Sequence, residues 1–220
     1  KSAGLSLKHG HCKANSANYI GLAILFITVL EEVETGYQLG RLSLRLVDQY
    51  GAKSLQGRTL NLFNMLVAHW KEDTKSLIPA FRKVFTLGME SGDPETSAQA
   101  LFMRDGIGML TNGNLVELEE QIAQSYGAII NLNQLQTLGL YTAVWKIALE
   151  LMGKDPTRTP LADLSMDEAQ LDDLWQTGQA RTFKGTYLVY QLIKNYLLGK
   201  NDEALKYYYE TRPYLENLAG

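Results

Sequence analysis

Three histidines and one cysteine are the side chains of this 220-residue chain best suited to hold a metal ion, and His9, His11 and Cys12 fall close together. Zinc needs a second cluster to complete a set of four ligands, and none follows, so a solvated turn is the better reading. A Glu-x-x-His pair, the signature of iron sites in carboxylate bundles, does not occur. Acid–base work would require converging carboxylates. Glu31 with Glu32, Glu119 with Glu120, and Asp172 with Asp173 sit on predicted helices or their ends and read as solvated faces. There is no phosphate-cradling Walker lysine motif, no GxGxxG between strand and helix, and no GxSxG nucleophile elbow. The residues therefore assign no catalytic, cofactor-binding or metal-binding group.

What remains is Asn61 and Asn64, one helical turn apart, with His69 and Trp70 further along the same predicted helix. Polar residues on the inner helices of a stacked helical array face its concave groove, where such scaffolds bind partners. These four are the candidate groove residues. The plainer reading makes Trp70 a core residue and lets the asparagines cap or bridge neighbouring helices, and residue type alone favours it.

The elements that would position them are helices. In Glu34–Tyr50, Leu39, Leu42, Leu46, Val47 and Tyr50 recur at steps of three and four, the mark of one buried stripe. Segments of this kind begin near Glu34, Thr74 and Asn114, forty residues apart, and again at Asn201. A second series of apolar segments, near Ala14, Lys53, Pro94 and Asn133, interleaves with the first. Each unit is then a pair of antiparallel helices unable to bury its faces alone, and the pairs must stack. Expected helices run Ala14–Glu31, apolar all round, then Glu34–Tyr50, Ser54–Lys71, Thr74–Glu90, one opening at Pro94 with Asp93 as its cap, Leu115–Ile130 and Asn133–Met152. Gly106 and Gly108 mark close helix packing. The run GKDPTRTPLADLS breaks the rhythm, and Ser165 with Glu168 resembles a capping box. Thr182–Leu198 should be buried on every side. Glu203–Leu218 should carry an inner stripe of Ala204, Leu205, Tyr208, Leu215 and Leu218, loosened at Pro213.

No alternating strand pattern appears, so the fold class is all-α: an α-solenoid of stacked antiparallel helix pairs, TPR-like, with repeats over 1–152, a loop or joint at 153–165 and further repeats over 166–220. A 45% hydrophobic composition with 20% charged residues fits a folded domain. The net charge of −3, with signs interspersed, gives no footprint for nucleic acid or anionic membrane. Tyr19–Leu30 is too short for the roughly 20 residues of a membrane span, and no signal-peptide cleavage site follows it. A lone cysteine fits a reducing compartment. The chain starts without methionine, in mid-pattern, as a segment excised from something longer.

The ordered set HGH at 9–11, ETGYQLGRLSLRLV at 34–47, HWKED at 69–73 and the closing run from Thr186 resembles a helical region of very large bacterial signalling proteins. In those proteins a Ser/Thr kinase domain, an AAA-type ATPase of the signal-transduction class, a TPR-like region, a GAF domain and often a histidine kinase share one polypeptide. The likeness is strongest over 9–130 and 182–220 and departs around 153–181. The unit is also longer than the 34 or so residues of an ordinary tetratricopeptide repeat. The resemblance implies a cytoplasmic, non-catalytic regulatory scaffold without cofactors, its partners being the ATPase, kinase and GAF domains of the same polypeptide. The alternative is a helical arm that senses a small molecule or peptide. A helical enzyme would require acids and histidines to converge in one pocket.

Overall fold

Small residues set how the first helices meet. The computed structural model describes residues 10–111, 114–159 and 180–217, together with Gly4 and Lys8. Helix α1 (Asn15–Thr28) packs against α2 (Val33–Gln49) at Gly36 and Ser43, while Gly40 of α2 faces Phe63 and Val67 instead; all three small residues are buried. A methyl group at Gly36 would stand 2.8 Å from the Ala23 carbonyl oxygen, and one at Gly40 would stand 2.7 Å from the Phe63 ring. Ser43 closes the contact by donating from its hydroxyl to the Ser16 carbonyl at 2.7 Å. The stripe expected from the large residues is thus rotated: Leu46 and Val47 are buried, while Leu39, Leu42 and Tyr50 lie at the border.

The chain divides into two compact units, residues 1–107 and 108–219. In the first, α3 (Lys53–Leu66) packs on α1, α2 and α4 (Ile78–Ser91). At the α3–α4 contact, a methyl on Gly57 would meet the Gly88 backbone nitrogen at 3.2 Å. Helix α4 is entered through a 3₁₀ turn, Thr74–Leu77, and ends on Gly92 in the left-handed conformation (φ 69°), whose N–H reaches the Gly88 and Met89 carbonyls. Asp93 then caps α5 (Pro94–Thr111) by accepting from the Thr96 backbone N–H at 3.0 Å, as expected from the Asp-Pro pair. The core of this unit joins Ile20, Ala23 and Ile27 of α1, Phe63 of α3, Val67 and Ala68 beyond it, Leu77, Phe81 and Val84, and Ala100 and Ile107 of α5.

In the second unit Asn114 caps α6 (Leu115–Asn131), its side chain accepting from the Val116 and Glu117 N–H groups. Helix α7 (Leu135–Leu151) lies between α6 and α8 (Ala180–Leu197) and is buried on nearly every side. Tyr126 of α6 meets both Tyr141 and Trp145 of α7, and its hydroxyl bonds to Thr142 at 3.0 Å. Lys194 of α8 reaches Glu150 at 3.2 Å. Gly199, again left-handed (φ 71°), leads into α9 (Asn201–Thr211), which packs on α8.

The described residues are all-helical, with no strand, and the expected spacing recurs in the element starts. One series begins at Asn15, Lys53, Pro94 and Leu135, with steps of 38, 41 and 41 residues; the other begins at Val33, Thr74 and Leu115, with steps of 41 and 41. No helix among the described residues is long and apolar enough to cross a membrane.

Several expectations are corrected. The expected helix Ala14–Glu31 is not buried all round, since Leu25 of α1 is exposed, as are Val29 and Leu30 just past its end; the sandwiched helix is α7. Helix α8 buries only the stripe Gly185, Leu188, Gln191 and Asn195, leaving Tyr196 and Leu197 exposed. In α9 the buried residues are Ala204 and Thr211, whereas Leu205 and Tyr208, and Leu215 beyond the end of the helix, are exposed. Pro213 does more than loosen the last helix: the α-helix stops at Thr211 and continues as a 3₁₀ segment, Arg212–Asn217. Of the expected joint, 153–159 form a turn at Gly153 and a 3₁₀ turn capped by Asp155. The Ser165–Glu168 capping box, Asp172, Asp173, His9 and Leu218 lie outside the described residues.

Candidate functional site

Helix α3 carries polar atoms into the interior of the first unit. Asn61 is 1% exposed and Asn64 3%, one turn apart on the face that turns away from water. The Asn61 Nδ2 donates to Gln99 Oε1 of α5 at 2.9 Å, but its Oδ1 is buried with no partner. The Asn64 Nδ2 is likewise buried and unpartnered. Gln99 is only partly covered, and its own Nε2 donates to Glu95 Oε1 at 3.3 Å. A track of polar groups thus leads from exposed Glu95 through Gln99 to Asn61, with Asn64 beside it. Each orphaned donor or acceptor costs about 1–3 kcal/mol of folding free energy, so two on one helical turn are a feature to be explained.

His69 and Trp70 do not continue that helix. The α-helix ends at Leu66, Val67 leaves helical geometry (φ −126°), and Ala68–Trp70 form a separate 3₁₀ turn. The His69 and Trp70 rings lie 5.4 Å apart. His69 is half-buried with neither ring nitrogen in a hydrogen bond, and burial pushes its pKa below the usual histidine value, offset in part by the nearby Met65 backbone. Trp70, read as core on the plainer view, is 47% exposed.

What holds this turn in place was not singled out in the sequence. Glu72 accepts from the Tyr37 hydroxyl at 2.7 Å, and Lys71 pairs with Glu34 while standing over the Tyr37 ring. The Glu72 bond raises the Tyr37 pKa, and Lys71 lowers that of Glu34. Tyr37 also leans on Phe63, 5.7 Å between centroids. Residues from the two segments ETGYQLG and HWKED, separate in the sequence, therefore form one brace. The partners of these bonds lie 35, 37 and 38 residues apart, for Tyr37–Glu72, Glu34–Lys71 and Asn61–Gln99. That offset is close to the 38–41-residue spacing of the helix starts, and it is the signal by which Gln99 and the brace could have been found.

The remaining groups do not converge. Among the described residues no three His, Cys, Asp or Glu side chains gather as metal ligands. His11 stacks edge-on against Tyr19, and Cys12 is exposed. Glu119 is engaged by the Trp145 indole N–H at 2.8 Å and by Lys154, while Glu120 faces solvent.

No family model matches the chain, and neither does any curated protein or solved structure. The function must be read from the residues and their geometry.

Proposed function

We propose that this chain is a non-catalytic regulatory and protein-interaction segment of a multidomain signal-transduction protein kinase. In this view it is a cytoplasmic α-solenoid of TPR-like helix pairs that couples a neighbouring ATPase to kinase output. The observation that carries the proposal is the regular recurrence of helix starts at steps of 38 to 41 residues, with side-chain bonds spanning nearly the same interval. Helix pairs braced to their successors in this way suit a scaffold that relays contacts between domains. The test is direct binding of the 220-residue chain to the ATPase, kinase and GAF domains of its parent polypeptide, together with autophosphorylation in its presence and absence. Binding with a change in autophosphorylation is expected; the absence of both would refute the proposal.

A second reading, a ligand- or peptide-sensing arm, is favoured by the unpartnered buried amide atoms of Asn61 and Asn64. Thermal shift against peptide and metabolite panels separates the two, because a ligand that binds the native state raises its melting temperature.

A further inference from the structure

We infer that α9 is an interaction surface for a second copy of this chain, the two α9 helices packing side by side in opposite directions about a two-fold axis at Tyr207. Helix α9 leaves three large residues in water: Leu205 is 52% exposed, Tyr208 48% and Tyr209 58%. At about 100° per residue the three share one face of the helix, bordered on one side by the buried Ala204 and Thr211. The Tyr208 and Tyr209 rings stand edge to face, 5.4 Å between centroids, so each holds the other in place before any partner arrives. Single exposed apolar side chains are ordinary on a protein surface, whereas a contiguous face of them marks a place of contact.

The charges along the other border say what covers that face. Asp202, Lys206 and Glu210 follow one another at single turns, and Arg212 ends the helix with its backbone still helical (φ −48°, ψ −44°). All four are exposed, and none makes an ion pair among the described residues. Laid antiparallel with Tyr207 beside the partner's Tyr207, Asp202 comes level with the partner's Arg212, and Lys206 lies within about 3 Å along the axis of the partner's Glu210. Leu205 comes level with the partner's Tyr209. Both charge pairs have opposite signs, and symmetry makes each of them twice. A parallel pair would instead set Asp202 against Asp202 and Lys206 against Lys206, and would align the two helix dipoles. Exposed ion pairs add little affinity singly, so the apolar face supplies the adhesion and the charges choose the direction. The same patch serves on both copies, so the contact closes at two.

The test is sedimentation velocity of the full 220-residue chain across micromolar concentrations. The parent should shift from monomer to dimer, and Leu205→Asp should stay monomeric. Asp202→Arg and Arg212→Glu should each weaken self-association roughly tenfold, because each sets like charges together twice. Mixed in equal amounts, those two variants should associate as tightly as the parent, since every facing pair is again opposite in sign. Neither misfolding nor a nonspecific apolar contact produces that rescue. Circular dichroism checks each variant, and should one of them not fold, the separate variants Lys206→Glu and Glu210→Lys repeat the experiment one turn further in. A parent chain that remains monomeric throughout, dimers indifferent to Leu205→Asp, or a mixture no tighter than its components would each overturn the inference.

Discussion

At the scale of single residues, α3 gives up stability by burying polar atoms that bond nothing. Asn64 is a poor helix former whose buried Nδ2 bonds nothing, so an apolar residue branched at the same carbon should fit better. Asn64→Leu is expected to stabilise the chain by about 1 kcal/mol in urea unfolding; a loss of that size would mean the amide is satisfied. His69 makes a separate prediction. Its pKa is lowered on folding by burial, so the unfolded chain takes up a proton first as the pH falls below the ordinary value of 6.5. The stability tied to the neutral ring is therefore complete above that pH and declines below it, down to the folded pKa. Melting temperature measured across that window should fall with pH in the parent, and the slope should flatten in His69→Phe. An unchanged slope would place the titration elsewhere.

At the scale of elements, glycines with the same helical setting have opposite worth. Gly21 of α1 has nothing within 4 Å of where a methyl group would go, so Gly21→Ala should add about 0.5–1 kcal/mol through helix propensity. At Gly36 the methyl would meet the Ala23 carbonyl oxygen at 2.8 Å, backbone that cannot move aside without separating α1 from α2. Gly36→Ala should cost about 1–3 kcal/mol despite the same propensity gain, measured by chemical denaturation. This contrast also marks what was legible. Helix starts could be read because their chemistry is local: Asp93 before Pro94, and Asn114 before Leu115. The buried stripe of α2 could not, because a pattern of large apolar residues points to Leu39 and Leu42, whereas close approach selects Gly36, Gly40 and Ser43. Nor could the end of α3 be seen, since MLVAHWKED contains neither proline nor glycine to announce the change at Val67.

At the scale of the whole molecule, each compact unit has a centre of fully covered residues: Phe81 and Val84 in the first, and Tyr126, Tyr141 and Val144 in the second. Their amides, within α4, α6 and α7, should exchange with deuterium most slowly, while those of Ala68–Trp70 and Arg212–Asn217 exchange early. Equal protection throughout would contradict so uneven a distribution of buried contacts. The candidate site was half legible at this scale. Asn61 and Asn64 stood out as polar residues in a helix, but Gln99, the partner of Asn61, lies on a different helix, and only the offset of 38 residues relates the two.

That offset constrains how such a chain could change its length. Tyr37 finds Glu72, and Asn61 finds Gln99, only while the count of residues between them is kept. Inserting or deleting one residue in α3 between Asn61 and Leu66 would turn the rest of that helix by about 100° and put both pairs out of register. Length changes that spare both pairs should therefore fall outside the intervals 37–72 and 61–99.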